Sequence, residues 1–107
     1  MLTSVDTELI RVLADPLRLR IVTLLSRETL CTTHLVEETG AKQTNLSNHL
    51  KVLREAGVVK TEPCGRFTYY KLRPEAIEAI EAIAGRFADL ARTARATAEA
   101  NVKRSCP

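Results

Sequence analysis

Residues 33–57 read THLVEETGAKQTNLSNHLKVLREAG, and the glycines at positions 40 and 57 divide that stretch into two short helical segments. A glycine just past a helix supplies the left-handed residue on which many helices end. Gly40, Ala41 and Lys42 alone separate a first segment, residues 33–39, from a second, residues 43–56. Two short helices around a tight glycine-containing turn form a helix-turn-helix. In the second segment Leu46, Leu50 and Leu53 recur at helical spacing and form a face that packs. Thr44, Ser47, Asn48 and Lys51 lie on the opposite face, with Gln43 and Asn45 near its N-terminal end. Amides and hydroxyls are the groups that read base edges in a major groove, while a lysine meets phosphate. A face that is only solvated usually carries glutamates and lysines in register, and this one carries almost no charge. His49 sits at the edge of the leucine stripe and reads as a packed or hydrogen-bonded residue between helices.

Working outward, residues 58–63 and 67–72 are β-prone runs around Cys64-Gly65-Arg66, which reads as a hairpin turn. The second run alternates, with Phe67, Tyr69 and Lys71 on one face and Thr68, Tyr70 and Leu72 on the other. A hairpin directly after the second helix is a wing. It offers Lys60, Arg66 and Lys71, and Arg66 at the tip can reach phosphate or the adjacent minor groove. Toward the N-terminus, Leu9, Ile10, Val12 and Leu13 predict a helix over residues 7–14. Asp15 then caps a second helix, residues 16–26, with Pro16 in its first position. In that helix Leu17, Ile21, Leu24 and Leu25 form a buried stripe. Residues 27–31 read as a connector, and Thr32 as the cap of the third helix.

Pro74 opens a last helix that runs to about residue 101. Along it Ile77, Ile80, Ala84, Phe87, Ala91 and Ala94 repeat at three- and four-residue steps, with Ile83 and Leu90 widening the stripe. Its alanines allow the close approach of a second helix. A long terminal stripe on so small a domain points to a homodimer, with two reading helices roughly 34 Å apart on an inverted repeat of double-stranded operator DNA. The expected fold is mainly α with a small β-hairpin wing (α+β): a winged helix-turn-helix dimerising through terminal helices. Residues 1–101 form the DNA-binding and dimerisation domain, and residues 102–107 a flexible C-terminal tail.

Composition narrows the function classes. The 107 residues suit one domain, and aromatics at 4% leave few stacking platforms for single-stranded nucleic acid. A net charge of +3 is compatible with a nucleic-acid partner, so the arrangement of charge has to carry that argument. No segment approaches the roughly 20 apolar residues of a membrane span, and the N-terminus shows no secretion signal, so a cytoplasmic location without membrane attachment is expected. Two histidines, scattered cysteines and no glycine-rich phosphate loop argue against an enzyme. In a reducing compartment the odd number of cysteines, Cys31, Cys64 and Cys106, favours free thiols or metal ligands over a structural disulfide.

Four stretches together resemble the ArsR/SmtB family. They are Leu13-Ala14-Asp15-Pro16-Leu17-Arg18-Leu19-Arg20-Ile21, the run from Leu35 to Gly40, the run from Asn45 to Val59, and Gly65-Arg66-Phe67-Thr68-Tyr69-Tyr70-Lys71-Leu72. The resemblance implies a dimeric winged-helix repressor that leaves its operator when an inducer binds. Two departures stand out. Lys42 occupies a position where many members place a serine or threonine cap. Of two cysteines one residue apart that arsenic-, cadmium- or lead-sensing members often carry before the third helix, Cys31 is retained and the second position is Thr33. His34 stands where relatives often have aspartate. The last helix contains no histidine, so the family's other site, built from Asp and His pairs there, is absent.

The family position makes Cys31 the leading candidate ligand, with His34 three residues on. A thiolate and an imidazole suit a soft or borderline ion such as zinc, cadmium or nickel. Two ligands are too few, so others come from water, Cys106, Cys64 or a second subunit. Trivalent arsenic prefers two or three thiolates. If the connector pairs with the wing, Cys31 falls closer to residues 69–71 than to the turn, which makes Cys64 the poorer partner. The expectation is an operator-binding repressor released by a thiophilic metal or metalloid such as arsenite or cadmium, with no organic cofactor. The alternative is a winged-helix regulator that senses nickel, zinc or thiol oxidation.

Overall fold

Helix α1 (Ser4–Leu13) begins three residues before the apolar pattern suggested, and the reason is a cap. In the computed structural model, which describes residues 2–107, the Thr3 hydroxyl accepts the Asp6 N–H at 3.2 Å. Asp6 Oδ2 accepts the Thr3 N–H at 2.9 Å, which completes a capping box. Helix α2 (Pro16–Leu25) starts as expected. Asp15 Oδ1 accepts the N–H groups of Leu17 and Arg18 at 2.9 and 3.1 Å, and Pro16 lies in the first turn.

The segment read as a plain connector holds a two-residue strand, β1 (Leu30–Cys31). Helix α3 (Thr32–Thr39) follows with Cys31 at its N-cap position, so Thr32 is the first helical residue and not the cap. Gly40 ends α3 at φ +70°. Helix α4 (Gln43–Glu55) begins three residues later, and no side chain at Lys42 caps it. Strands β2 (Val59–Cys64) and β3 (Phe67–Leu72) form the hairpin. Cys64 is therefore the last residue of a strand, opposite Phe67, and the turn is Gly65-Arg66 alone. Gly65 takes φ +62°, the positive value that glycine supplies in tight hairpin turns.

The sheet has three strands in the order β1-β3-β2, all antiparallel. Leu30 pairs with Tyr70 and Cys31 with Tyr69. Because side chains alternate across a strand, Leu30, Tyr70 and Leu72 face the helices, while Cys31 and Tyr69 share the opposite face. The core joins Ile21 of α2, Leu35 of α3, Leu46 and Leu53 of α4, and Val58 and Val59 at the start of the wing, all fully buried. Burying each such side chain stabilises the fold by about 1.5–3 kcal/mol. Leu24 and Leu25 are buried as expected. Val22 joins them, and Leu17 is only half-buried.

Helix α5 (Pro74–Ala100) has 27 residues, about 40 Å at 1.5 Å per residue. Its first half lies on the domain through Ala76, Ile80 and Ile83, and the Arg86 guanidinium grips the Asp6 carboxylate at 2.9 and 3.1 Å. From residue 87 onward every position is exposed, and the molecule measures 64 × 25 × 22 Å. Residues 102–107 carry no regular structure.

Candidate nucleic-acid interface and inducer site

The leucines of α4 decide what its other face can do. Leu46 and Leu53 are fully buried and Leu50 nearly so, which anchors the helix on the domain and turns the remaining positions outward. Gln43, Thr44, Asn45, Ser47, Asn48 and Lys51 are all exposed, as expected. Lys51 is lightly engaged, its Nζ 4.0 Å from Glu55 Oε1. The missing side-chain cap at Lys42 leaves the first-turn amides of α4 without that acceptor. Amides at a helix N-terminus are good partners for a phosphate.

Arg66 is exposed at the tip of the wing. Lys71 is committed elsewhere, because its Nζ lies 2.8 Å from Glu62 Oε2 across the hairpin. That hydrogen bond is the main cause holding the Glu62 carboxyl below the usual glutamate range. Lys71 thus stiffens the wing rather than offering a spare charge.

His49 is the hydrogen-bonded interhelical residue that its place on the stripe suggested. Its side chain is 20% exposed, with Nδ1 3.1 Å from an Arg18 guanidinium nitrogen and 3.8 Å from Asp15 Oδ1.

The second site lies at the start of α3. Cys31 is 4% exposed. His34 reaches back so that its Nδ1 accepts the Cys31 N–H at 3.2 Å and sits 3.4 Å from Cys31 Sγ. An N–H needs a lone pair, so Nδ1 is unprotonated in this arrangement. The Tyr69 ring meets the His34 ring edge-on at 5.9 Å between centroids. The two ligand atoms also suit one ion. Zinc bonds of about 2.3 Å to sulfur and 2.05 Å to nitrogen at a tetrahedral angle set the ligands roughly 3.5 Å apart. The 3.4 Å between Cys31 Sγ and His34 Nδ1 matches that spacing. Among the described residues no three His, Cys, Asp or Glu side chains converge to hold a metal ion.

The other two cysteines are not brought to that point. Cys64 lies in β2, on the far side of β3 from Cys31, so two strand spacings, roughly 9–10 Å, separate them laterally. This removes Cys64 as a ligand partner of Cys31 within one chain. Cys106 is exposed beyond α5. On α5, Ile77 and Phe87 are 42% and 45% exposed, and Ala84 and Ala91 are exposed too. Ile80 differs from the expected free stripe, because it is half-buried against the chain's own core. Leu90, 57% exposed, extends the open part of the stripe.

The sequence profile described as "Bacterial regulatory protein, arsR family" matches residues 15–61. That stretch runs from the α2 cap through α4 into β2. A solved structure titled as a possible transcriptional regulator for arsenical resistance superposes with a TM-score of 0.69. It is 32% identical, over 90% of this chain and 97% of that one. The chain belongs to the ArsR family of bacterial regulatory proteins. An arsenic resistance transcriptional regulator of Pseudomonas putida is 38% identical over 72 residues, 66% of this chain and 56% of its own length. The HTH-type transcriptional repressor SmtB of Mycobacterium tuberculosis is 43% identical over 65 residues, 61% of this chain and 48% of its own length. The match spans about half the length of these two curated relatives. ArsR-family proteins are transcriptional regulators and not enzymes, and this chain has their winged helix-turn-helix fold. Among the described residues no helix is long and apolar enough to cross a membrane.

Two features escaped the sequence. The His34 cap has no familiar signature, since the usual box pairs Ser or Thr with Glu or Gln. The Arg18 contact with His49 spans 31 positions and has no local pattern at all.

Proposed function

We propose that this chain is a homodimeric repressor that holds an inverted-repeat operator through α4 and the wing of each copy, and that a thiophilic ion bound at Cys31 releases it. The observation that carries the sensing half is the buried Cys31 thiol with His34 Nδ1 3.4 Å away, at the N-terminus of the first helix of the reading pair. The relatives named for arsenic resistance support a metal- or metalloid-responsive repressor. One thiolate and one imidazole suit cadmium or zinc within a single chain. Arsenite needs further thiolates, and Cys106 of either copy is the thiol outside the wing that can supply one.

The same geometry gives the ion a way to act. His34 Nδ1 has one lone pair, which the Cys31 N–H already uses. An ion that takes that lone pair leaves the Cys31 N–H without its acceptor and removes the cap of α3. Helix α3 packs on α4, so the reading helix feels the change. Couplings of about 1–3 kcal/mol between two sites are typical of such switches.

The test is a titration of reduced protein on labelled DNA from its own upstream region with arsenite, cadmium, zinc and nickel in turn. Release by at least one thiophilic ion at stoichiometric amounts is expected, with Cys31→Ser still bound. No release by any of them, or full release of Cys31→Ser, would discard the proposal. Release by mild oxidant alone would replace the ion with thiol oxidation.

A further inference from the structure

The polar contacts around Arg18 join helices that the function, as proposed above, needs to hold in register. Val12 is the next-to-last residue of α1, and Pro16, four residues on, has no N–H to offer its carbonyl. Arg18 Nε fills that place, donating to the Val12 carbonyl at 2.6 Å. A second guanidinium nitrogen of the same side chain lies 3.1 Å from His49 Nδ1 on α4. Arginine only donates, so this contact is a hydrogen bond only while His49 Nδ1 keeps its lone pair. One planar group thus bridges the end of α1 and the middle of the DNA-reading helix, from its own root on α2.

We infer that Arg18 is a positioning residue that sets the angle of α4 relative to α1 through the unprotonated Nδ1 of His49. A guanidinium suits this task because its donors are held in a rigid fork, whereas lysine brings a single mobile point charge. His49 sits between Asn48, which is exposed on the reading face, and Leu50, which is buried in the core. A shift of its ring therefore moves the residues that meet the bases.

Protonation breaks the link. An imidazolium Nδ1 carries a hydrogen and cannot accept from Arg18. It repels the guanidinium and turns toward Asp15 Oδ1, 3.8 Å away. Among the described residues, Arg18 and Asp15 are the charged groups within ion-pair distance of the ring. One turn away on α4, Asn45, Leu46, Val52 and Leu53 carry no charge. The sign of the effect is diagnostic. A proton added near DNA raises affinity if only its charge matters, because it attracts phosphate. Loss of the Arg18 link lowers affinity instead.

The inference rests on operator reading by α4, and its test separates the two. Nitrogen-15 NMR of the free protein at pH 8 is expected to show His49 protonated at Nε2 and accepting at Nδ1. Operator affinity, measured by fluorescence anisotropy from pH 8 to 5.5, the interval over which histidines gain a proton, is expected to fall about tenfold. His49→Gln keeps an acceptor that does not titrate, so this component of the fall disappears. Arg18→Lys and Arg18→Met are expected to bind the operator about tenfold more weakly already at pH 8. Their binding to unrelated DNA stays within about twofold of wild type, since the reading geometry and not the general charge is altered. A His49 ring protonated at Nδ1 at pH 8, an affinity that rises on acidification, or the full fall persisting in His49→Gln would each overturn the inference. Wild-type protein that binds no duplex defeats operator reading, and the NMR result still decides the Arg18 contact. If the Arg18 variants fail to fold, His49→Gln and the wild-type spectrum decide it.

Discussion

Asn48 and Leu50 are two residues apart on α4 and do opposite work. Leu50 anchors the helix on the core, and Asn48 stands in solvent; in the proposed role both halves of its amide would pair with an adenine edge. Asn48→Ala is expected to cost about 1–3 kcal/mol of specific binding and almost none of non-specific binding, read by competition with unrelated DNA. Cys31→Ser tests the other site. Serine is a good N-cap residue, so the variant keeps α3 and its melting temperature while it loses the response to the ion. His34→Ala leaves the Cys31 N–H without its acceptor and is expected to cost about 1 kcal/mol of stability in a urea titration. The exposure of the polar face of α4 was legible in the sequence because the leucine spacing fixes which way each polar residue points. The contacts of Cys31 were not, because they depend on the return of His34 and on a strand partner 38 positions away.

At the scale of elements, the boundaries that moved are those set by a hydrogen bond rather than by apolar periodicity. Helix α1 starts at Ser4 because Thr3 and Asp6 cap each other, and β1 exists only through its pairing with β3. The glycine and proline signals at Gly40, Pro16 and Pro74 held, since each acts through its own backbone. The Asp6–Arg86 pair ties α1 to α5 and gives a pH signature. The Thr3 N–H, with further help from Arg86 and the Thr3 hydroxyl, holds the Asp6 carboxyl below its ordinary value of 3.8. Its contribution to stability is therefore full above that value and is lost as pH falls through the lowered one. Thermal melts of Asp6→Asn are expected to lie below wild type at pH 7, with the two curves converging once the pH has fallen through the lowered value. A constant offset across that range would mean that the carboxylate charge is not what joins the helices.

At the scale of the molecule, α5 is the feature that one chain leaves half exposed. Its outer half carries Phe87 and Leu90 on an exposed face, while its inner half is seated on the domain. A second copy is the occupant that the proposed operator symmetry calls for. Phe87→Glu is expected to shift the protein to monomer in sedimentation velocity and to weaken operator binding more than tenfold, since one half-site contact is then lost. The element order, the wing and the exposed polar face of α4 were all readable from the sequence. The degree to which α5 serves its own domain was not, because one apolar stripe suits both uses until Ala76, Ile80 and Ile83 are seen turned inward. The most direct measurement is a hydroxyl-radical footprint of the reduced protein on DNA from its own upstream region. Two protected half-sites centred about 10 base pairs apart, both lost in Asn48→Ala, are the expected result. Uniform protection of unrelated DNA, or none on its own upstream region at low salt, would contradict the assignment of α4 as the reading helix.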